Sequence, residues 1–459
     1  MHKFTLVLST FCFCLLVPTY AMSQSITSSL SDLLDITQES TVGNYGFYGS
    51  TAAIQFGDGT RWSGATGVTG PATASKGGRA LAFDDRFHIG SQTKTFTGTV
   101  VLKYVDSGIV SLDDTLQDWF VLQPTVTSAL SVMPQSLRET ITVRNLLSMR
   151  TGLAEYLGGP DPNNSGQTVL DVWNAKNGNY DLTRKQLLAA SLALPATMVP
   201  GDESTFEYSN ANFMLAGIIA EAASCEAGNC RDIGTLITDE VIVPLNLDNT
   251  LYPTGTEWGT QQHTNGTWNY YGVLSDFTET TPSVPNSAGA MISNVQDQLD
   301  WLVELTTNAK GTLDPDTFAE RLQNTQKING AVGTVEGGYG LGIYGQYSTE
   351  TGAYMLGHGG ELSGYQTLMF YFPGDPTNSL DDLFIVADLN TFLNFPGERT
   401  FLPSDINNIY YELQKTVALY RLYVTNPDGC VTTEAGTTCT ATTLSDKTLA
   451  VGNSLTIQP

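Results

Sequence analysis

Strand-like runs gather at the two ends of this 459-residue chain and helical runs fill its middle, so a folded unit must bring the ends together in one sheet. Over 45–70, Gly57-Asp58-Gly59 separates two alternating runs, the pattern of a β-hairpin. From about Tyr339 the pattern is β again. Short runs at 339–344, 354–357, 365–372 and 383–388, separated by Gly, Pro and Asn turns, predict an antiparallel meander. A closing helix carries Ile406, Tyr410, Leu413, Val417 and Tyr420 on one face, suited to packing on that sheet. Between these ends, 111–290 reads as mostly helical. N-terminal signals fall at Ser111 with Asp114, at Thr142 and at Ser209 or Asn210, with a further one at Ser293 with Gln296 ahead of the apolar face Val295, Leu299, Leu302 and Val303. The expected architecture is α/β of the α+β type. An antiparallel sheet drawn from 40–90 and 335–424 is flanked by helices, an all-helical lobe spans about 106–290, and a cleft lies between them.

The first 21 residues read as a secretory signal peptide, with Lys3, an apolar run from Phe4 to Val17, and a small-residue cleavage site at Thr19-Tyr20-Ala21. That run is shorter than the roughly 20 residues a bilayer crossing needs, so no membrane span is expected after its removal. Export, to a periplasm or beyond the cell, gives the cysteines their meaning. Cys12 and Cys14 leave with the signal, and Cys225, Cys230, Cys430 and Cys439 remain. Of the three possible pairings, the local one joins Cys225 to Cys230 and Cys430 to Cys439. A metal site is disfavoured, because neither pair has C-x-x-C spacing and no histidine lies near. The formal charge of −25 argues against nucleic acid and anionic surfaces as partners, since these call for basic patches. The folded domain is expected over 22–424, with 425–459 a Thr-rich appendage.

A serine and a lysine stand three apart in Phe87-His-Ile-Gly-Ser91-Gln-Thr-Lys94. After them Phe96, Val100, Val101, Tyr104 and Val105 follow a 3.6-residue period and Gly108 offers a stop, so Ser91 should open a helix. There the first-turn N–H groups favour negative charge near the serine oxygen. Lys94, one turn on, can reach the hydroxyl and take its proton once burial has lowered its own proton affinity. Two further clusters supply cleft-type residues: Phe206-Glu-Tyr208-Ser-Asn210 before a helix, and Gly357-His358-Gly359-Gly360-Glu361 at the end of a predicted strand.

In this order and spacing the three clusters resemble the serine β-lactamase and penicillin-binding protein superfamily, in the branch of class C β-lactamases, D-alanyl-D-alanine carboxypeptidases and related esterases. The runs 112–116, 141–153, 208–217, 339–342 and 357–360 resemble landmarks of that family in the family's order, and the likeness extends over about 28–424. The resemblance implies that Ser91 is the nucleophile of an acyl-enzyme and Lys94 its proton acceptor. It also implies that Tyr208 shares the base role and donates to the leaving amine, and that Asn210, Gly359 and Gly360 line the substrate. His358 would support Tyr208 electrostatically, and the backbone N–H groups of Ser91 and Glu361 would form the oxyanion hole. Gly359 departs from the pattern, since many relatives carry Thr or Ser there, where a hydroxyl helps bind a substrate carboxylate.

The expected function is exported D-alanyl-D-alanine carboxypeptidase-type cleavage of peptidoglycan-like peptides. The alternatives are an esterase or β-lactamase on the same scaffold, or a binding relative without turnover. The substrate would be a small peptide, ester or β-lactam. No dinucleotide or P-loop pattern occurs, and the four histidines His2, His88, His263 and His358 are scattered, so no cofactor or metal is expected.

Overall fold

The computed structural model describes residues 19–72, 77–122, 124–256, 262–270, 273–325, 337–347, 354–374, 382–393, 409, 412–417, 430–433 and 436–439. A seven-stranded antiparallel sheet is built from both ends of the chain. Its strands are β1 (Gly49–Phe56), β2 (Arg61–Gly67), β3 (Gly337–Tyr339), β4 (Tyr344–Tyr347), β5 (Tyr354–Leu362), β6 (Tyr365–Phe372) and β7 (Leu383–Leu389), in the order β2-β1-β7-β6-β5-β4-β3. The hairpin and the meander of the sequence reading are therefore both present. β1 pairs with β7, closing the sheet across more than three hundred residues of chain.

Side-chain alternation divides the sheet into two faces. Ala52, Ile54, Leu368, Phe370, Ile385 and Ala387 face an outer core with Leu30, Leu34 and Val42 of α1 (Thr19–Tyr45) and with Ile409, Leu413 and Val417. Ala53, Met369, Phe384 and Val386 face the larger inner core against the helices. Leu413 and Val417 of the expected closing helix are buried as anticipated, while Ile406, Tyr410 and Tyr420 lie outside the described residues.

The central helix α2 (Thr93–Asp106) differs from the one-sided helix its periodicity predicts. Phe96, Val100 and Val101 are buried, but so are Thr93, Thr95, Thr97 and Thr99 on the rest of its surface. Their hydroxyls donate to carbonyl oxygens of Gly90, Gln92, Ser287 and Thr95, each at 2.7 Å. A polar face satisfied in this way needs no water. Burial of Phe96, Val100 and Val101 contributes about 1.5–3 kcal/mol each, and Phe96 stacks on Trp301 with centroids 4.4 Å apart. Trp301 belongs to α4 (Val295–Thr307), which packs between α2 and the inner face of the sheet. The helix α3 (Asn210–Glu226) runs against the other side of α2.

The lobe expected to be all-helical over about 106–290 also carries strands, Thr267–Tyr270 and Val273–Asp276, which join Thr391–Leu393 in a three-stranded sheet. Several predicted boundaries move. The expected strand at 339–344 is the turn between β3 and β4, where Gly342 has φ +77°. His358 sits inside β5 and not at its end. Thr142 caps its helix through a capping box with Asn145, as expected. The Ser111–Asp114 pair forms a turn, and the box at the next helix is Thr115 with Asp118. Asn294, not Ser293, caps α4 through the backbone N–H of Asp297, because Ser293 is drawn into a short strand opposite Phe87. A disulfide joins Cys225 to Cys230. Cys430 and Cys439 face each other in the register of a two-stranded hairpin, and their side chains lie outside the described residues. The signal-peptide reading falls on residues outside the description as far as 18.

Asp388 of β7 lies on the inner face, opposite Thr51 and Thr367, and is fully buried. Its Oδ2 accepts from Gln298 Nε2 of α4 at 2.7 Å, and burial holds its carboxyl well above the usual range. Above the ordinary carboxylate pKa of about 3.9 the unfolded chain ionises this group while the folded one keeps it protonated, so stability falls as pH rises from there. Asp388→Asn should therefore melt roughly 3 °C or more above wild type at pH 7. The difference should vanish near pH 3.5, as read by thermal unfolding at both pH values.

Candidate active site

Ser91 sits in a 3₁₀ turn, Gly90–Gln92, that leads directly into α2. Gly90 makes this turn possible. It has φ +50°, and a Cβ there would stand 2.6 Å from the Glu361 backbone nitrogen. Gly360 matters equally, since a Cβ on it would meet the Ile89 carbonyl oxygen at 1.9 Å. These two glycines let the Ser91 turn lie directly on β5, so the backbones that carry the expected oxyanion-hole N–H groups of Ser91 and Glu361 are in contact.

One turn along, Lys94 is fully buried beneath Ser91. Its Nζ donates to Asn210 Oδ1 at 2.6 Å and to the Ala288 carbonyl oxygen at 2.7 Å, and it lies 2.9 Å from Ser91 Oγ. The count of partners decides the chemistry. As an ammonium, Lys94 fills all three positions with N–H donors. As a neutral amine, it keeps two donors for the two carbonyl-type oxygens and turns its lone pair to the serine hydroxyl. Burial lowers its pKa to about 7, and the Glu155 carboxylate works in the opposite direction.

Tyr208 reaches the site from the residues just before α3, where Ser209 is the N-cap. Its ring lies 4.8 Å from Lys94 Nζ, and its hydroxyl hydrogen-bonds to Ser91. Burial raises the phenol well above its ordinary value, with Glu155 and Glu361 adding to the shift, so Tyr208 holds its proton at neutral pH. That assigns the lone pair to Lys94 and leaves Tyr208 to donate.

His358 is buried on β5, with Nδ1 2.5 Å from the Gly359 carbonyl oxygen and Nε2 2.9 Å from the Tyr339 hydroxyl. A carbonyl oxygen only accepts, which fixes the hydrogen on Nδ1 and makes Nε2 the acceptor of the Tyr339 hydroxyl. Burial, then the Lys94 charge, lowers its pKa to about 3, so the ring is neutral. Its ring centroid is 6.2 Å from that of Tyr208. His358 therefore meets Tyr208 as a neutral ring and not as a cation.

The structure thus brings Ser91, Lys94, Tyr208, Asn210 and His358 together, with Gly359, Gly360 and Glu361 on the adjoining strand. Ser91, Tyr208, Asn210 and Gly359 are partly exposed and Glu361 is exposed, whereas Lys94 and His358 are buried. Three participants were not foreseen: Tyr339, the Ala288 carbonyl and Glu155. Tyr339 lies in the 339–342 landmark, which was its one sequence signal. Ala288 and Glu155 carry none, because their contacts join segments far apart in the chain. Asn210 is also more committed than expected. Its side chain bonds both Lys94 and Glu155, and its backbone N–H donates to Glu155 Oε2 at 2.7 Å. Among the described residues no His, Cys, Asp and Glu cluster is arranged to hold a metal, and no helix is long and apolar enough to cross a membrane.

This sheet and its helices are those of the serine β-lactamase and transpeptidase superfamily of hydrolases. The sequence profile of the Beta-lactamase family matches residues 35–400, and the chain belongs to that family. A D-stereospecific amidohydrolase from Streptomyces sp. superposes with a TM-score of 0.61 at 26% identity, covering 79% of this chain and 94% of that one. The D-amino acid amidase of Ochrobactrum anthropi SV3, solved with L-phenylalanine, shares the fold with a TM-score of 0.64 at 19% identity, covering 86% and 99%. Beta-lactamase-like protein 4 of Dictyostelium discoideum is 24% identical over 62% of this chain and 48% of its own length. The chain spans half or less of the length of the first curated relatives it matches.

Activity should need Lys94 without its proton. For hydrolysis of a short activated ester, kcat/KM is expected to rise with pH through about 7, the value to which burial brings this lysine. Lys94→Arg, which cannot deprotonate, should lose about 10³-fold or more across the whole pH range.

Proposed function

We propose that this protein is an exported serine hydrolase that cleaves small amides or peptides of D-amino acids through an acyl-enzyme on Ser91. The observation that carries the reading is the set of Lys94 partners, two carbonyl-type oxygens and one serine hydroxyl. Ser91 Oγ attacks the substrate carbonyl while its proton passes to the neutral Lys94 amine. The tetrahedral oxyanion is met by the backbone N–H groups of Ser91 and Glu361. The C–N bond then breaks, and Tyr208 donates its proton to the leaving nitrogen and recovers one from Lys94. Water attacks the acyl ester along the same route in reverse, releasing the acid and restoring Ser91.

Likeness to the Streptomyces amidohydrolase supports the D-amino-acid part of the reading. The charged start, apolar run and small-residue site over 1–21 support export, which would expose the enzyme to peptidoglycan peptides.

The site electrostatics order the substrates. A carboxypeptidase must hold a terminal carboxylate. Here Lys94 is committed beneath the serine, His358 is neutral and Gly359 has no hydroxyl, while the Glu155 and Glu361 carboxylates act on Tyr208. Amides and esters without a free carboxylate fit this field better than a D-Ala-D-Ala terminus or a β-lactam acid. Turnover of D-alaninamide, a D-Ala-D-Ala peptide, a short acyl ester and a cephalosporin, with Ser91→Ala as control, tests the order. The amide is expected to exceed the peptide, and Ser91→Ala to lose about 10³-fold or more. A Ser91→Ala variant as active as wild type would sink the mechanism. A faster D-Ala-D-Ala peptide would restore the carboxypeptidase reading.

A further inference from the structure

Glu155 lies in the segment leading into the 3₁₀ turn Tyr156–Gly158, and it is tied to the site by several bonds. Oε1 accepts from the Leu157 backbone N–H at 3.1 Å, and Oε2 accepts from the Asn210 backbone N–H at 2.7 Å. The Asn210 side chain also bonds Glu155, while its Oδ1 accepts from Lys94 Nζ at 2.6 Å. A single amide therefore bridges the carboxylate and the lysine. Both ends of that bridge are anchored, since Lys94 is fully buried and Asn210 opens the 17-residue helix α3 behind its Ser209 cap.

We propose that Glu155 is a positioning residue of this site: through Asn210 it fixes the Lys94 amine beneath Ser91, and its negative charge holds the proton on that amine. The inference rests on the reading that Lys94 accepts the Ser91 proton. Among the described residues, the neighbours of the amine leave Glu155 as its one anionic influence. Tyr208, from the residues before α3, keeps its phenolic proton, and His358 of β5 is neutral. Ser91 and the Ala288 carbonyl are uncharged. Glu361 of β5 acts on Tyr208. Around Glu155 itself stand Tyr156 and Tyr208, both protonated phenols. Opposing effects meet at Lys94, because burial drives its proton off and Glu155 retains it. Burial also raises the Glu155 carboxyl itself, and the Asn210 and Leu157 N–H groups together with the Lys94 charge favour its ionised form.

A carboxylate at a helix start can serve stability alone. That bland role and the positioning role differ in one measurable respect, the pH at which activity appears. Without the negative charge, Lys94 loses its proton more readily, so the acid limb of kcat/KM moves to lower pH. For Glu155→Gln the midpoint should fall by about one pH unit or more, the usual reach of an opposite charge at this range. The value of kcat at the plateau should also drop, because at least one of the N–H groups facing Glu155 meets an amide hydrogen. Glu155→Asp, which keeps the charge but withdraws it from Asn210, should give a smaller move in the same direction and serves if the Gln variant does not fold. Activity profiles from pH 5 to 9 with an activated ester, alongside melting curves, read both effects. An acid limb that stays at the wild-type midpoint in the variants that fold, whatever their melting temperatures, overturns the inference. A limb that moves upward does so equally. Full activity of Ser91→Ala would instead remove the underlying mechanism, whatever Glu155 does.

Discussion

Lys94 is an amine placed where an ammonium is disfavoured, and much of the structure serves to keep it there. Its pKa of about 7 lies far below that of a free lysine, a difference of roughly 5 kcal/mol between its two protonation states. In linkage terms, below about pH 7 the folded chain carries this proton in an unfavourable place. Between there and the ordinary lysine value near 10.4 the unfolded state binds more protons than the folded one, so this contribution to stability improves as pH rises. The fold tolerates the penalty because α2 is secured on every side. Thr95 accepts from Trp301 Nε1 at 2.7 Å, and Arg321 donates to the Thr95 carbonyl and to Thr99 Oγ1. A helix held that firmly can carry a strained electrostatic group without moving it.

What the sequence discloses follows from the range over which each signal acts. The Ser91–Lys94 contact is legible because it spans one helical turn, and the hairpin around Gly57-Asp58-Gly59 because turn chemistry is local. The paired ends of the sheet follow from the order of strand-like and helical runs. Resemblance to a family, and not spacing, joined Tyr208 and His358 to the serine. The Ala288 carbonyl, 194 residues from Lys94, has no side chain to advertise it. Glu155 resembles any polar loop residue until the fold sets it against Asn210. The misplaced caps have a different origin. Ser111-x-x-Asp114 and Thr115-x-x-Asp118 are equivalent patterns four residues apart, and only the helix start at Leu116 distinguishes them. The buried threonines of α2 had no sequence signal of their own, because period alone cannot tell water from a neighbouring carbonyl.

Burial divides the cluster by task. Ser91, Tyr208 and Asn210 are partly open to solvent and Glu361 is exposed, while Lys94 and His358 are closed off from water. In the buried part the dielectric is low, so each charge or lone pair weighs more than it would at a surface. The chain as a whole carries a formal −25, and the exposed Glu361, one of the two carboxylates acting on Tyr208, extends that sign to the open side of the site. Under the proposed reading, a substrate that arrives with a carboxylate meets this field with no cation dedicated to it among the described site residues, a difficulty that an amide or ester does not face.

The Tyr339–His358 bond completes the argument about protons. An imidazole beside a nucleophile is ordinarily a rival base, and here it is disabled twice. Its Nε2 lone pair is occupied by the Tyr339 hydroxyl, and its Nδ1 hydrogen is held by the Gly359 carbonyl oxygen. Tyr208 keeps its own proton because a buried phenolate between two carboxylates is unfavourable. In the proposed mechanism, the proton released by Ser91 therefore has one basic seat among these groups, the Lys94 nitrogen, and one exit, the Tyr208 oxygen. Directionality of that kind does not depend on any single unusual residue. It follows from three groups whose environments push their proton affinities apart, which is how one pocket can take a proton from a nucleophile and return it to a leaving group at the same pH.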